Sequence, residues 1–255
     1  MICNGVTVSY GRFGELIQAA RQALLAASVP RSGQALVTLD DIAQTWPWLL
    51  ACQSLGLTTL CVPGALAARL DIQPLACVIG DGADALPAPV RIDAATSERR
   101  LLQKHGPLDG TIVEAGHLMT SSGTTGQPKI VHSRPETIAA ISGFPSAIAT
   151  YGPDTVTYVG PFPLATATGY NTAARSWWLG GAIVIHQAPD HWAPFESGRI
   201  DEAFLTPGML RELLDHYPDK SAPNPRMNLT VTGGLTPWPL VERARLRLTP
   251  NISAY

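Results

Sequence analysis

Apolar positions along this chain follow two periods. Ala35-Leu36-Val37-Thr38-Leu39, Thr58 to Val62 and Ala76 to Ile79 are short apolar runs with the length of buried strands. Thr155 to Val159, Ala182 to His186 and Asn228 to Thr232 repeat that pattern further on. Longer stretches with helical spacing lie between them: Glu15 to Ala27, then Asp40 or Asp41 to about Leu55, Pro135 to Thr150, Asn171 to Leu179, Pro207 to Tyr217 and Trp238 to Leu248. Their ends carry recognisable chemistry. Asp40 or Asp41 supplies an N-cap carboxylate, Gly56 a stop, and Pro207 a residue suited to a first helical turn. Met209, Leu210, Leu213, Leu214 and Tyr217 form one apolar stripe, which is core packing. Alternation of the two periods predicts an α/β fold of layered β-sheets with flanking helices. The stretch from Asp81 to Asp109, rich in alanine, proline and charge, breaks the alternation and divides a first subdomain (1–110) from a second (111–255).

Composition narrows the function classes. The chain has 255 residues, of which 45% are hydrophobic, enough for a substantial core. A net charge of -2, with lysine and arginine scattered, gives no footprint for nucleic acid. No apolar run reaches the length of a membrane span, and the N-terminus lacks a basic segment followed by an apolar one. Cys3, Cys52, Cys61 and Cys77 show neither C-x-x-C pairing nor partnered histidines, which reads as buried thiols in a reducing cytoplasm.

The candidate chemistry lies in Leu118-Met119-Thr120-Ser121-Ser122-Gly123-Thr124-Thr125-Gly126-Gln127-Pro128-Lys129. Glycines allow tight turns and close approach to a ligand, hydroxyls add donors, and the lysine adds a positive charge. These are ingredients for gripping a polyphosphate. The stretch is not a Walker A loop, because Gln127 and Pro128 separate Gly126 from Lys129 and Ile130 stands in the Ser/Thr place. A G-x-G-x-x-G fingerprint is absent as well.

Position by position, the loop resembles the phosphate-binding loop of the adenylate-forming superfamily: acyl- and aryl-CoA synthetases, adenylation domains of peptide synthetases, and luciferases. Leu118, Ser121, Ser122, Gly123, Thr124, Thr125, Gly126, Pro128 and Lys129 satisfy that family's pattern. Further landmarks follow in the family's order. They include Val6 to Tyr10, Trp48 to Pro63, Pro161 to Gly169, Leu179 to Ala182, Leu205 to Leu210 and Thr232 to Pro237.

The resemblance implies the large N-terminal domain of a ligase that joins a carboxylate to the α-phosphate of ATP, with Mg²⁺, and then passes the acyl group to a thiol such as coenzyme A or a carrier protein. It assigns Thr124, Thr125, Gly126 and Lys129 to the β- and γ-phosphates, with Ser122 and Gly123 in the same loop. Ser121 is assigned to the α-phosphate or the metal. Gly233, Gly234 and Leu235 are placed beside the adenine, although the glycine pair taken alone reads equally as an ordinary turn. Tyr255 is assigned to stacking on the base. Thr166, Gly169 and Tyr170 fall in the segment that lines the family's acyl pocket.

The sequence also departs from the pattern. Thr166 stands where many members carry a histidine or an aromatic residue, and peptide-synthetase domains an aspartate. No Asp or Glu lies between Thr155 and Pro189, so an acyl or aryl acid is expected in preference to an α-amino acid. Past Tyr255 the family continues with a glutamate for Mg²⁺, a ribose-binding aspartate and a C-terminal lid subdomain bearing a catalytic lysine. The chain thus reads as an incomplete N-terminal fragment, inactive or crippled by itself. Two classes stay open at this level: an ATP-dependent carboxylate-activating ligase, or a non-catalytic nucleotide- or acyl-binding remnant.

Overall fold

The computed structural model describes all residues except 71, 73, 85, 105, 107–114, 122–128, 145–149, 191, 198 and 218–221. Residue contacts divide the chain into two compact units, one of residues 8–140 and 163–170, the other of residues 1–7, 141–162 and 171–255. The short strands β1 (Ile2–Cys3) and β2 (Val6–Thr7) belong to the second of these.

The unit of residues 8–140 and 163–170 begins with α1 (Tyr10–Ala26), whose N-terminus is capped by the Ser9 hydroxyl accepting from the Arg12 amide at 3.1 Å. It continues through β3 (Gln34–Val37), α2 (Ile42–Ser54), β4 (Thr58–Cys61), α3 (Gly64–Ala67), β5 (Leu75–Ile79), β6 (Val90–Ile92) and α4 (Ala94–Leu101). Then come β7 (His117–Ser121), β8 (Lys129–Ser133) and α5 (Pro135–Ser142, as far as Ala140). Of the two candidate caps for α2, Asp41 does the capping, its carboxylate accepting from the Ala43 amide at 2.8 Å. Gly56, with φ of 87°, takes the left-handed conformation expected of a helix stop.

The strands form one sheet in the order β6-β5-β3-β4-β7-β8. All neighbours run parallel except β7 and β8, which are antiparallel. Leu36, Leu60, Leu75, Val78 and Leu118 from these strands pack with Ala67, Ile72 and Ala165 into the unit's core. The stretch read as irregular in the sequence carries β6 and α4. Both are short, and Val90, Ile92 and Leu101 are too few apolar positions to print a period. Local chemistry starts α4 instead: the Asp93 carboxylate accepts from the Thr96 amide at 2.7 Å.

The second unit adds β9 (Val156–Val159), α6 (Ala167–Trp178, from Asn171 onward), β10 (Ala182–Ile185), α7 (Ala193–Ser197) and β11 (Glu202–Leu205). It closes with α8 (Pro207–His216), β12 (Asn228–Val231), α9 (Trp238–Arg247) and β13 (Asn251–Ala254). Its seven-stranded sheet runs β13-β12-β11-β9-β10-β1-β2 and is parallel except for β2. Thr206 caps α8 by accepting from the Met209 amide at 3.2 Å, with Pro207 in the first turn as its fixed φ favours. Leu210, Leu213 and Leu214 bury the predicted stripe against Ala203, Leu205, Leu229 and Val231 of the sheet. β11 escapes sequence reading because it opens on Glu202, directly after Asp201, and a charged residue rarely begins a buried strand.

Candidate functional site

The loop singled out in the sequence lies between two antiparallel strands, β7 and β8. β7 and β8 pair in the register His117↔Ser133, Leu118↔His132, Met119↔Val131, Thr120↔Ile130 and Ser121↔Lys129. Ser122, Gly123, Thr124, Thr125, Gly126 and Pro128 lie outside the described residues, so the structure speaks to the two residues that close the loop. Ser121 ends β7 and Lys129 begins β8 as directly opposed partners, and both side chains are exposed. Opposed residues in an antiparallel pair have Cα atoms roughly 5 Å apart. Among the described residues no carboxylate pairs with Lys129. The loop also leaves the C-terminal end of a strand that runs parallel to β4, the edge where α/β sheets present their ligand sites.

A glycine fixes how the hairpin is seated. A Cβ on Gly116 would come within 2.1 Å of His132 Nε2 and 2.5 Å of the Ser133 carbonyl, so no other residue fits without displacing β8. Burial and the nearby Arg134 cation hold His132 below the usual histidine pKa.

Around the start of β7 lies a buried polar network that the sequence did not signal. His117 is fully buried. Its Nε2 lies 2.9 Å from the Leu164 carbonyl and its Nδ1 2.8 Å from Thr59 Oγ1. A carbonyl can only accept, so Nε2 carries the proton and Nδ1 accepts from the Thr59 hydroxyl. The Gln53 amide donates to Thr59 Oγ1 at 2.8 Å and to the Tyr170 hydroxyl at 2.8 Å. The Tyr170 ring stacks on His117 at 4.0 Å between centroids and on Trp46 at 5.3 Å. Desolvation pushes the His117 pKa down to about 4, so the imidazole is neutral near pH 7. The only signal available in the sequence was a histidine opening an apolar run.

This network connects the loop's leading strand to the segment that carries the expected acyl-pocket residues. The Thr120 amide donates to the Ala165 carbonyl at 2.7 Å, beside the His117–Leu164 bond. Thr166 then caps α6: its hydroxyl accepts from the Gly169 amide at 3.1 Å and donates to the Pro163 carbonyl at 2.7 Å. Gly169 is buried in the first turn. Tyr170, 5% exposed, spends its hydroxyl on Gln53. Within this unit, therefore, Ser121, Lys129, Thr166, Gly169 and Tyr170 are held by one connected set of strands and side chains.

The remaining candidates gather in the other unit, at the C-terminal ends of the parallel strands β11, β12 and β13. Gly233, with φ of 88°, makes the turn that follows β12, a conformation few other residues adopt without strain. Gly234 and Leu235 continue it, and Leu235 is 93% exposed. The Tyr255 amide donates to the Val231 carbonyl at 3.0 Å, which brings Tyr255 to the same edge with its side chain 83% exposed.

No family model matches the chain. It is 25% identical over 272 aligned positions to the fatty acid–[acyl-carrier-protein] ligase MmaC of Mycobacterium marinum, covering 91% of this chain and 49% of that protein. The chain thus spans about half the length of this curated relative. Solved structures that share its fold include two bacterial ones. The N-terminal domain of FACL13 from Mycobacterium tuberculosis matches with a TM-score of 0.76 at 18% identity, over 99% of this chain and 69% of that one. The O-succinylbenzoate coenzyme A synthetase MenE from Bacillus subtilis, in complex with ATP and a magnesium ion, matches with a TM-score of 0.74 at 20% identity, over 96% of this chain and 54% of that one. The chain therefore has the fold of the N-terminal domain of adenylate-forming ligases, as the motif in its loop and the order of its landmarks implied.

Proposed function

We propose that this chain is the phosphate-binding part of an ATP-dependent ligase that activates an acyl or aryl carboxylic acid as its acyl-adenylate and passes it to a thiol. The observation that carries this reading is the Ser121–Lys129 closure of a glycine- and hydroxyl-rich loop at the C-terminal end of a parallel strand. The kinship with a fatty acid–carrier-protein ligase supports an acyl substrate and either a carrier-protein or a coenzyme A acceptor.

Joining a carboxylate to a triphosphate brings two anions together, so fixed positive charge and N–H donors must offset their repulsion. Lys129 supplies that charge at the loop's exit, and Thr124, Thr125 and Gly126 supply donors along it. Bound ATP provides the electrophilic α-phosphate. Thr166, as the cap of α6, holds the start of that helix in place beside β7 and acts as neither acid nor base. Gly233 and Gly234 leave the exposed turn after β12 without side chains, which suits the approach of a purine, and Tyr255 is exposed at the same edge to stack on it. Among the described residues no group of three His, Cys, Asp or Glu could hold a metal ion.

The test is carboxylate-dependent exchange of labelled pyrophosphate into ATP by the natural protein, screened with aliphatic and aryl acids. Exchange that requires an acid and vanishes in Lys129→Ala is expected. Nucleotide binding with no exchange for any acid would instead favour a non-catalytic binding module.

A further inference from the structure

His117 enters none of the chemistry assigned above, yet it is fully buried and both of its ring nitrogens are bonded. What it holds is one short segment. Its Nε2–H donates to the Leu164 carbonyl at 2.9 Å, and three residues further along β7 the Thr120 amide donates to the Ala165 carbonyl at 2.7 Å. β4 pairs with β7 at His117 and Leu118, so the bond from Thr120 extends the support of β7 past the last of those pairs. Ala165 also packs beside Leu60 and Leu118 in the core of the same unit.

From Ala165 the chain returns to the same histidine. Thr166 bonds back to the Pro163 carbonyl and caps the turn that follows through the Gly169 amide. At the end of that turn, the Tyr170 ring lies on the His117 ring with 4.0 Å between centroids. The Tyr170 hydroxyl bonds Gln53, and Gln53 bonds Thr59, the partner of His117 Nδ1. Residues 163–170 therefore form a closed circuit of contacts that His117 fastens to β7, the strand ending at Ser121. Thr166 and Tyr170 commit their hydroxyls inside this circuit, so their part is to shape the segment. The bonds are buried, and removing one leaves a carbonyl or hydroxyl without water to replace its partner. A misplacement of about 1 Å between reacting groups can cost roughly a hundredfold in rate.

We propose that His117 is a positioning residue for the acid side of the reaction. Acting through Leu164 and Tyr170, it sets residues 163–170 against the strand that leads to Ser121, so that the carboxylate and the triphosphate are held by one support. The inference rests on the ligase reading and deepens it, since it assigns a role to a side chain that touches neither reactant. Two substitutions separate what the imidazole does. Phenylalanine keeps a ring for Tyr170 and loses both bonds, whereas glutamine keeps a donor for Leu164 and loses the ring.

The test is pyrophosphate exchange by the natural protein, with ATP and acid varied separately, for the native sequence, His117→Phe and His117→Gln. His117→Phe should raise the KM for the acid roughly tenfold while the Kd for ATP stays within about twofold. His117→Gln should recover most of that loss. A merely loosened protein would lose active fraction and weaken ATP and acid alike. An acid KM unchanged in His117→Phe, or a loss shared equally by ATP, would overturn the proposal and leave the ligase reading standing. ATP binding with no exchange for any acid would overturn both. Hydrogen exchange decides the matter even if His117→Phe fails to fold. Saturating ATP should slow exchange in the native peptide spanning residues 163–170 by roughly threefold or more, because that segment is fastened to β7. ATP that binds without protecting this peptide would overturn the proposal.

Discussion

His117 should make the unit of residues 8–140 and 163–170 acid-sensitive. Its imidazole is neutral and fully buried, with the pKa pushed down to about 4 from an ordinary 6.5. In the unfolded chain it takes up a proton near 6.5, whereas in the folded chain it resists protonation until about 4. The unfolded state therefore binds more protons between those values, and stability falls as pH drops through that window. A shift from 6.5 to about 4 corresponds to about 3 kcal/mol, fully present above pH 6.5 and fully lost below pH 4. His117→Gln removes the titrating group while keeping an amide able to donate to the Leu164 carbonyl. Urea unfolding, followed by hydrogen exchange of the β7 peptide, should be measured for both proteins from pH 7.5 to 4. The difference between the two stabilities cancels every other titrating group. It is expected to favour the native histidine by about 2 kcal/mol at pH 7.5, for the lost hydrogen bond and ring stacking. It should then shrink and reverse as pH approaches 4. A flat difference across that range would refute the buried, neutral assignment.

Glu202 should have the opposite pH signature. Its folded pKa of about 7 lies above the ordinary 4.5, so stability is lost as pH rises between those values. Glu202→Gln should match the native chain below pH 4.5 and exceed it by about 3 kcal/mol above pH 7; equal stability at pH 8 would contradict the assignment. Thr166→Ala, which removes the cap of α6, should cost about 1 kcal/mol in thermal unfolding while Thr166→Ser restores it. An alanine variant as stable as the serine variant would show that the cap contributes nothing.

Much of this fold was legible in the sequence because its strands are short apolar runs and its helices announce their ends. Asp41, Gly56 and Pro207 each mark a boundary by a local interaction that needs no tertiary context. β6, α4 and β11 were not legible. β6 and α4 carry too few apolar positions for a period, and β11 buries a glutamate whose partner, Asn228, lies on another strand. The site divides in the same way. Ser121 and Lys129 are contiguous with a motif, so they could be named from the sequence, and the hairpin register explains why they face each other. His117, Gln53 and Thr59 come from three separate elements and meet only through folding. Thr166 was visible as a departure from a family pattern, but its role as a helix cap needed the hydrogen bonds of Pro163 and Gly169.

The central claim, that the loop closed by Ser121 and Lys129 holds nucleotide phosphates, is tested most directly by titrating ATP into the chain and into its Lys129→Ala variant. Hydrogen bonds to a charged partner contribute about 1.5–3 kcal/mol, so the variant should bind roughly ten- to a hundredfold more weakly while keeping its fold. Equal affinity in the two proteins, or no saturable binding by the native chain, would contradict the account.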